Sequence, residues 1–393
     1  MVTKHKTDLK SGRLVVYSLP DDGPFRMGFA KNMAHRLGML EGADILVNLD
    51  ADNFTGNGFA ACVAERFQYS HTPGIFLAAN IIPGQGRQFR GCNGRIVVTA
   101  HQFLNAGGYD ERFDTWAPDD KDFNARLQRL GYTAIEIPRD YLRSVVHGDG
   151  QRFQEYPHAR EKVGEYEQEM ENPSDATIAN YGRVGVGTVY RNFDPTTIEL
   201  GPVPTRIFGI GMHKTATNSL HKALTALGYD SAHWKSARWA KRIWREMTTT
   251  GRSVTLEQSY AVSDLPITIL YKELDQAYPG SKFILTVRDE QKWLASVRNH
   301  WSNRNQFRSS WDTDAFTNRI HQIVYGTTEF DEQVFLARYR QHNGDVVEYF
   351  RDRPDDLLIM RMPESGWPEL CGFLGRPIPS VDYPHEFKTA EQG

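Results

Sequence analysis

A lysine and several hydroxyl side chains follow a short apolar segment near the middle of the chain. The segment Arg206–Gly209 predicts a buried strand, and apolar residues spaced three and four apart from Leu220 onward predict a helix that begins at Ala216. A loop between a strand and a helix N-terminus directs backbone N–H groups and the positive end of the helix dipole to one point, which favours a phosphate. Lys214 adds a positive charge at this point. We therefore predict a phosphate-binding loop.

The loop departs from two common nucleotide-binding patterns. A Walker A loop carries glycine directly before its Lys-Ser/Thr pair, where this chain has His213. The dinucleotide pattern GxGxxG requires a third glycine where Lys214 stands. An ordinary strand-to-helix turn with a surface lysine is the alternative that the loop alone leaves open.

The remaining pattern, Lys-Thr-x-Thr-x-Ser, resembles the 5′-phosphosulfate loop of the PAPS-dependent sulfotransferases. Those enzymes usually carry glycine where this chain has Ala216. The resemblance implies that PAPS is the cofactor and that Lys214 stabilises the charge that develops on its leaving phosphate. It also implies that eight residues surround the 5′-phosphate: Gly211, His213, Lys214, Thr215, Ala216, Thr217, Asn218 and Ser219.

A second motif lies downstream of this loop. The apolar segment Lys282–Val287 predicts a central parallel strand, and Arg288 directly follows it. Ser296 lies eight residues beyond Arg288, within the predicted helix Glu290–His300. A guanidinium and a hydroxyl are donors that suit a dianionic phosphate. The pair resembles the sulfotransferase pattern for the 3′-phosphate of PAPS, which implies that Arg288 and Ser296 hold that phosphate.

One acidic residue between the two motifs is a candidate base. Asp264-Leu265-Pro266 stands where cytosolic sulfotransferases carry a His-Leu-Pro turn with the catalytic histidine. The resemblance implies that Asp264 takes the proton of the acceptor hydroxyl. An aspartate that simply begins a turn before proline is the alternative.

Composition excludes several classes of protein. The chain has 393 residues, a length typical of two domains, and a formal net charge of −3, which does not favour nucleic acid or a membrane surface as a partner. No segment is apolar over the ~20 residues that a membrane span needs. The three cysteines are far apart, and the first residues lack the apolar core of a signal peptide. These features predict a cytoplasmic protein with reduced thiols.

Acidic residues follow a predicted strand in the N-terminal part of the chain. The segment Asp44–Leu49 predicts a buried strand, and Asp50 and Asp52 come directly after it. Two carboxylates at the end of such a strand are costly unless a cation or solvent receives them. Hard metal ions that hold phosphate oxygens prefer such ligands, so the placement favours a metal site.

Two further motifs follow in order, GGYDERF at Gly107–Phe113 and WAPDDKD at Trp116–Asp122. Together with the D-x-D motif, they make residues 14–150 resemble the C-terminal half of galactosyltransferase-type GT-A glycosyltransferases. The resemblance implies Mn²⁺ or Mg²⁺ bound with a nucleotide-sugar. It implies three metal ligands: Asp50, Asp52 and His147.

The same resemblance assigns residues to the acceptor sugar. Asp120 matches the usual general base, Asp119 stands where glutamate is usual, and Trp116 matches a residue that stacks on a sugar face. Alternatives remain open for these residues. The carboxylates of Asp119 and Asp120 are also favourable at the start of a helix predicted from Lys121, and His147 alone could simply end a strand.

The GT-A resemblance is incomplete. A GT-A domain has a further β-α-β unit before its D-x-D strand, and this chain offers one strand and one helix there. We therefore expect two α/β domains: a shortened GT-A-like domain over residues 1–150 and a P-loop sulfotransferase-like domain with a parallel sheet over 204–393. Residues 151–203 are expected to form an extension and linker.

The resulting hypothesis is a sulfotransferase that transfers the sulfuryl group of PAPS to a hydroxyl of a carbohydrate, fused to a domain that also transfers a sugar. Two alternatives stay open. In the first, the N-terminal domain only binds the glycan. In the second, the protein is a P-loop nucleotide kinase, which the missing Walker glycine and the pair of Arg288 and Ser296 disfavour.

Overall fold

The computed structural model describes residues 4–20, 26–72, 74–79, 92, 94–113, 118–145, 177–302 and 315–385. The chain divides into two compact units, Met1–Val203 and Pro204–Gly393. Both units combine helices with strands, and the second contains a parallel sheet, which confirms the predicted α/β class. Among helices in the described ranges, none combines the length and the apolar character that a membrane crossing requires.

The first unit is built from short helices and three small sheets. Its described helices are α1 (Lys6–Lys10), α2 (Met27–Leu40), α3 (Phe59–Tyr69), α4 (Ala100–Asn105) and α5 (Asp119–Arg129). Its described strands are β1 (Tyr17–Ser18), β2 (Ile45–Val47), β3 (Asn53–Phe54), β4 (Ile75–Ala78), β5 (Ile96–Thr99), β6 (Thr133–Glu136), β7 (Arg143–Ser144), β8 (Gly187–Arg191) and β9 (Thr197–Leu200). The sheets have the orders β2-β5-β4-β6, β1-β8-β9 and β3-β7.

The strand before Asp50 lies at the edge of its sheet. β2 is the outermost strand of the four-stranded sheet and pairs antiparallel with β5. Val47 is 40% exposed and Leu49 is 45% exposed. The predicted strand within Asp44–Leu49 is present, but the prediction that it is buried was wrong. A continuous apolar run is compatible with an edge strand as well as with a central one.

Part of the expected linker belongs to the core of the first unit. β8 and β9 form an antiparallel pair, and β8 also pairs with β1. This sheet and α2 share one cluster of buried side chains: Phe29, Met33, Leu37, Val189 and Leu200. Within the predicted extension and linker, apolar side chains of residues 187–200 therefore complete a core of the first unit. Residues 146–176 lie outside the described ranges.

The second unit is a five-stranded parallel sheet with helices between its strands. Its strands are β10 (Ile207–Gly209), β11 (Ser231–His233), β12 (Ala261–Ser263), β13 (Lys282–Arg288) and β14 (Leu357–Met362). Its described helices are α6 (Thr217–Ala226), α7 (Ala237–Thr250), α8 (Val254–Glu257), α9 (Tyr271–Ala277), α10 (Glu290–Ser302), α11 (Ala315–Tyr325), α12 (Glu332–Tyr349) and α13 (Trp367–Leu374). The strand order is β11-β12-β10-β13-β14.

The carboxyl ends of these strands meet at one edge of the sheet. Gly209 lies opposite Ser263 on one side and Ile284 on the other, and His233 lies opposite Ser263. Residues at and just beyond these strand ends are therefore neighbours in space although they are far apart in sequence. Open parallel sheets bind ligands at this edge, where strand order reverses.

We predict that Ala216→Gly stabilises the second unit. Ala216 has a φ of 69°, in the left-handed region where a Cβ is unfavourable. Relief of this strain should exceed the entropy that glycine adds to the unfolded chain, so the free energy of unfolding should rise by roughly 0.5–1 kcal/mol. Urea denaturation measures the change. The control Ala226→Gly, at the exposed end of α6, should lower stability by up to about 1 kcal/mol, and a fall for Ala216→Gly would contradict the strain argument.

Candidate functional site

The loop between β10 and α6 packs too closely against β13 for a side chain at position 211. A Cβ on Gly211 would lie 2.0 Å from Thr286 Oγ1 and 2.6 Å from the Thr286 carbonyl oxygen. Thr268 Oγ1 donates a hydrogen bond of 3.0 Å to the Gly211 carbonyl oxygen. The start of the loop is therefore fixed to the carboxyl ends of the neighbouring strands.

The loop then turns twice through the left-handed region, at Lys214 with a φ of 67° and at Ala216 with a φ of 69°. Helix α6 begins directly afterwards, at Thr217. The first N–H groups of a helix have no acceptor within that helix. A phosphate at this helix end would accept from them, as the sequence predicts.

The side chain of Thr215 points into the protein. Thr215 is fully buried, and its hydroxyl donates to the Met212 carbonyl oxygen at 2.5 Å and lies 2.7 Å from Thr286 Oγ1. Both bonds of the Thr215 hydroxyl are made within the protein, and a contact of Thr215 with the phosphate stays a prediction. The side chain holds the loop on β13.

The side chain of His213 also points away from the helix end. Its Nδ1 lies 2.9 Å from Tyr325 Oη, and its ring packs on Trp301 with centroids 5.4 Å apart. Burial, together with the neighbouring His321 and His300, holds the pKa of His213 well below its usual value. A neutral ring in an aromatic cluster shapes the loop, so the predicted phosphate contact by this side chain is not supported.

Two cationic side chains and one carboxylate interact beside the loop. Burial lowers the pKa of Lys214, the opposing charge of Asp264 raises it, and the positive charge of Arg288 lowers it further. The ends of β10, β12 and β13 therefore bring the three predicted residues into electrostatic range of one another. Two cations next to a helix N-terminus form a site that attracts an anion.

The main chain of Arg288 is held in place by an aromatic side chain of α12. Tyr339 Oη donates to the Arg288 carbonyl oxygen and accepts from the Arg288 backbone N–H, each at 2.8 Å. The ring of Tyr339 stacks on Trp293 at 4.2 Å, and Trp293 Nε1 donates to the His213 carbonyl oxygen at 3.1 Å. The main chain at the arginine and the main chain of the loop are thus joined by two packed rings.

The remaining predicted residues lie on the helices that follow the two strands. Asn218 is partly exposed and Ser219 is buried in the first turn of α6. Ser296 is partly exposed on α10. Their placement is compatible with the predicted contacts, which stay predictions.

The candidate base carries a histidine partner that sequence reasoning did not assign. Asp264, with a φ of 74°, accepts from the Leu265 N–H at 2.8 Å through Oδ1, and its Oδ2 lies 3.3 Å from His233 Nε2. The same Nε2 lies 3.0 Å from Thr217 Oγ1. No spacing pattern in the sequence pointed to this contact, which arises because His233 ends β11, the strand that pairs with β12.

In the first unit, a lysine lies between two of the predicted acidic residues. Lys31 Nζ is 2.8 Å from Asp119 Oδ2 and 2.6 Å from Asp120 Oδ1, and it lies 4.9 Å from the ring centre of Tyr109. Lys31 is only 7% exposed and Asp119 only 2%. Burial raises the pKa of Asp119 to about 7, with a contribution from Asp120, while Lys31 opposes the rise.

The D-x-D motif approaches this cluster. A Cβ on Gly94 would lie 2.4 Å from Asp50 Oδ2 and 3.1 Å from Asp120 Oδ2, so glycine leaves room for both carboxylates. Burial raises the pKa of Asp50, with Asp120 and Asp52 adding to the rise and Lys31 opposing it. The two acidic motifs therefore come together around an ammonium group.

The predicted metal site is not supported. His147 and Trp116 lie outside the described residues. Within the described ranges, no group of three or more His, Cys, Asp or Glu side chains could hold a metal ion. The cation that contacts Asp119 and Asp120 is Lys31, so we derive no chemistry through a metal at Asp50 and Asp52.

The second unit is similar in sequence to known proteins. Residues 206–392 match the family model described as a sulfotransferase domain. The Ava biosynthesis cluster protein M of Aspergillus versicolor is 26% identical over 208 residues, covering 46% of this chain and 80% of that protein. A crystal structure of a sulfotransferase from Alicyclobacillus acidocaldarius is 17% identical, with a TM-score of 0.30 over 48% of this chain and 88% of that one.

We predict that Lys31→Ala destabilises the first unit strongly. The substitution leaves Asp119 and Asp120 without their positive partner, and loss of one side of a buried ion pair costs about 3–5 kcal/mol. The loss should be larger near pH 8 than near pH 5, because protonation of Asp119, whose pKa is raised by burial, removes the uncompensated charge at the lower pH. Urea denaturation at both pH values measures it.

The matched control is Lys121→Ala, an exposed lysine on α5. It should change the free energy of unfolding by less than about 0.5 kcal/mol, as most surface substitutions do. A loss below about 1 kcal/mol for Lys31→Ala at both pH values would show that the ammonium does not stabilise the acidic cluster.

Proposed function

We propose that the sulfotransferase domain over residues 206–392 transfers the sulfuryl group of PAPS to an acceptor hydroxyl. The observation that carries the proposal is the convergence of Lys214 and Arg288 beside the N-terminus of α6. The two cations lie at the ends of adjacent parallel strands and repel each other, so a ligand with two anionic groups would relieve their repulsion.

The residues present fit such a nucleotide. The close approach of Gly211 to Thr286 holds the start of the loop on β13, and Thr217 to Ser219 in the first turn of α6 would supply N–H groups and hydroxyls for the 5′-phosphate. Arg288 and Ser296 would hold the 3′-phosphate. When bound, PAPS supplies the sulfuryl group and the leaving phosphate.

Asp264 is the proposed base. It lies within electrostatic range of Lys214, at the same edge of the sheet. The Asp264 carboxylate would receive the proton of the acceptor hydroxyl as that hydroxyl displaces the phosphate from the sulfuryl group. The Lys214 ammonium would stabilise the negative charge that the departing phosphate keeps. Proton and charge are thus received by different side chains.

We further propose that the acceptor is a carbohydrate. The support is the GT-A resemblance of the first unit, with its two acidic motifs close together around Gly94. Two roles for that unit remain in competition: transfer of a sugar from a nucleotide-sugar, and binding of the glycan without catalysis. The contacts of Lys31 with Asp119 and Asp120 favour binding, because these carboxylates already have a cation. A nucleotide kinase is disfavoured by His213 in the place of the Walker glycine.

We predict that Arg288→Ala weakens binding of adenosine 3′,5′-bisphosphate, the desulfated product of PAPS. Loss of a charged hydrogen-bond partner costs about 2 kcal/mol, which corresponds to a roughly 30-fold increase in Kd. Calorimetric titration of the full chain measures it, with ATP and UDP as competing ligands. Arg298→Ala is the control, since this arginine is exposed on α10 and pairs with Glu332. ATP binding as tight as that of the bisphosphate, and indifferent to Arg288, would favour the kinase instead.

We predict that Asp264→Asn lowers turnover about 10²-fold or more while bisphosphate affinity changes less than threefold, because loss of a general base removes 10²–10⁴-fold of rate. Asparagine tolerates the left-handed backbone at this position, which makes the exchange conservative. The assay offers PAPS with a panel of saccharides and phenols and follows release of the bisphosphate. Asp331→Asn, at the exposed start of α12, should be neutral. Turnover within threefold of wild type for Asp264→Asn would exclude it as the base.

A further inference from the structure

His233 connects the proposed base to the phosphate loop. Its Nε2 lies 3.3 Å from Asp264 Oδ2 and 3.0 Å from Thr217 Oγ1. The three residues come from different segments: His233 ends β11, Asp264 follows β12 and Thr217 begins α6. His233 and Asp264 are 19% and 15% exposed, so the contact is largely shielded from water.

The carboxylate determines which nitrogen of His233 carries the proton. A carboxylate oxygen only accepts hydrogen bonds, and a bare imidazole nitrogen also only accepts. If Nε2 were bare, two lone pairs would face each other across 3.3 Å. The Asp264 carboxylate therefore favours the form of His233 with hydrogen on Nε2. The ring of His221 packs near His233, 5.9 Å away by centroids, and Lys214 lies within electrostatic range of Asp264.

The protonation of Nε2 in turn orients the hydroxyl of Thr217. A hydroxyl has one hydrogen to donate and two lone pairs to accept with. If Nε2–H donates to Thr217 Oγ1, the hydroxyl hydrogen is free to point to the helix end. If Nε2 were bare, Thr217 would donate to the histidine and its hydrogen would be lost to a phosphate there.

We propose that His233 is a positioning residue that joins Asp264 to Thr217, so that the ionised base turns the Thr217 hydroxyl toward the 5′-phosphate of the bound nucleotide. The inference rests on the proposed sulfotransferase function and adds a coupling to it. Nε2–H is shared between the carboxylate and the threonine oxygen, and no proton leaves the histidine. The nucleotide site and the base site are therefore linked through one imidazole.

Titration calorimetry with adenosine 3′,5′-bisphosphate on the full chain tests the link by a double-mutant cycle. Thr217→Val should raise Kd about tenfold, because the phosphate loses one hydroxyl donor. His233→Ala should raise Kd three- to tenfold, and His233→Gln, which keeps an N–H donor, should stay within twofold of wild type. In the Thr217→Val background, His233→Ala should have no further effect. If the Kd changes of Thr217→Val and His233→Ala multiply in the double variant, or if His233→Ala alone leaves Kd unchanged, the proposal is overturned.

Nitrogen-15 NMR of histidine-labelled protein at pH 8 gives an independent readout. The signals of His233, assigned by their loss in His233→Gln, should show hydrogen on Nε2 in the wild type, and Asp264→Ala should reduce the share of that form. Hydrogen on Nδ1 in the wild type would overturn the proposal even if His233→Ala failed to fold. Absence of bisphosphate binding by the wild type would instead refute the proposed function, while the NMR result would still decide whether Asp264 controls His233.

Discussion

The close contact of Gly211 with Thr286 is the constraint on which the proposed nucleotide site depends. Gly211 packs directly against Thr286 on β13, which fixes the start of the loop. The buried hydroxyl of Thr215 also bonds to Thr286. Lys214 and the start of α6 follow within a few residues, through two left-handed turns. The charges and N–H groups that would meet a phosphate are thus positioned by residues that contact none.

The local patterns of the second unit could be read from the sequence, and the side-chain directions could not. The strand, loop and helix around Lys214 and the strand that ends at Arg288 were predicted because each is set by a short run of apolar spacing. His213 and Thr215 were predicted to belong to the loop around the 5′-phosphate, and the sequence did not show that their side chains bond to other parts of the protein. A left-handed residue between them reverses the direction of the chain, and spacing alone does not reveal such a turn.

The contacts that could not be predicted from the sequence join residues far apart in the chain. Lys31 reaches Asp119 across 88 positions, and this pairing depends on how α2 and α5 pack, which neither helix pattern encodes. His233 lies beside Asp264 only because β11 and β12 are neighbours in the sheet. The edge position of β2 and the pairing of β1 with β8 were hidden for the same reason. Strand order is a property of the whole unit, so it was not available from any one motif.

The stacked rings of Tyr339 and Trp293 lie between the main chain of Arg288 and the main chain of His213. Tyr339 bonds to the main chain of Arg288 and Trp293 bonds to the carbonyl oxygen of His213, so the separation of these two main-chain segments is fixed by rigid aromatic groups rather than by flexible side chains. Under the proposed function, this separation would favour a nucleotide that carries phosphate on both sides of its ribose over one with a single phosphate chain, whatever the charge of that chain.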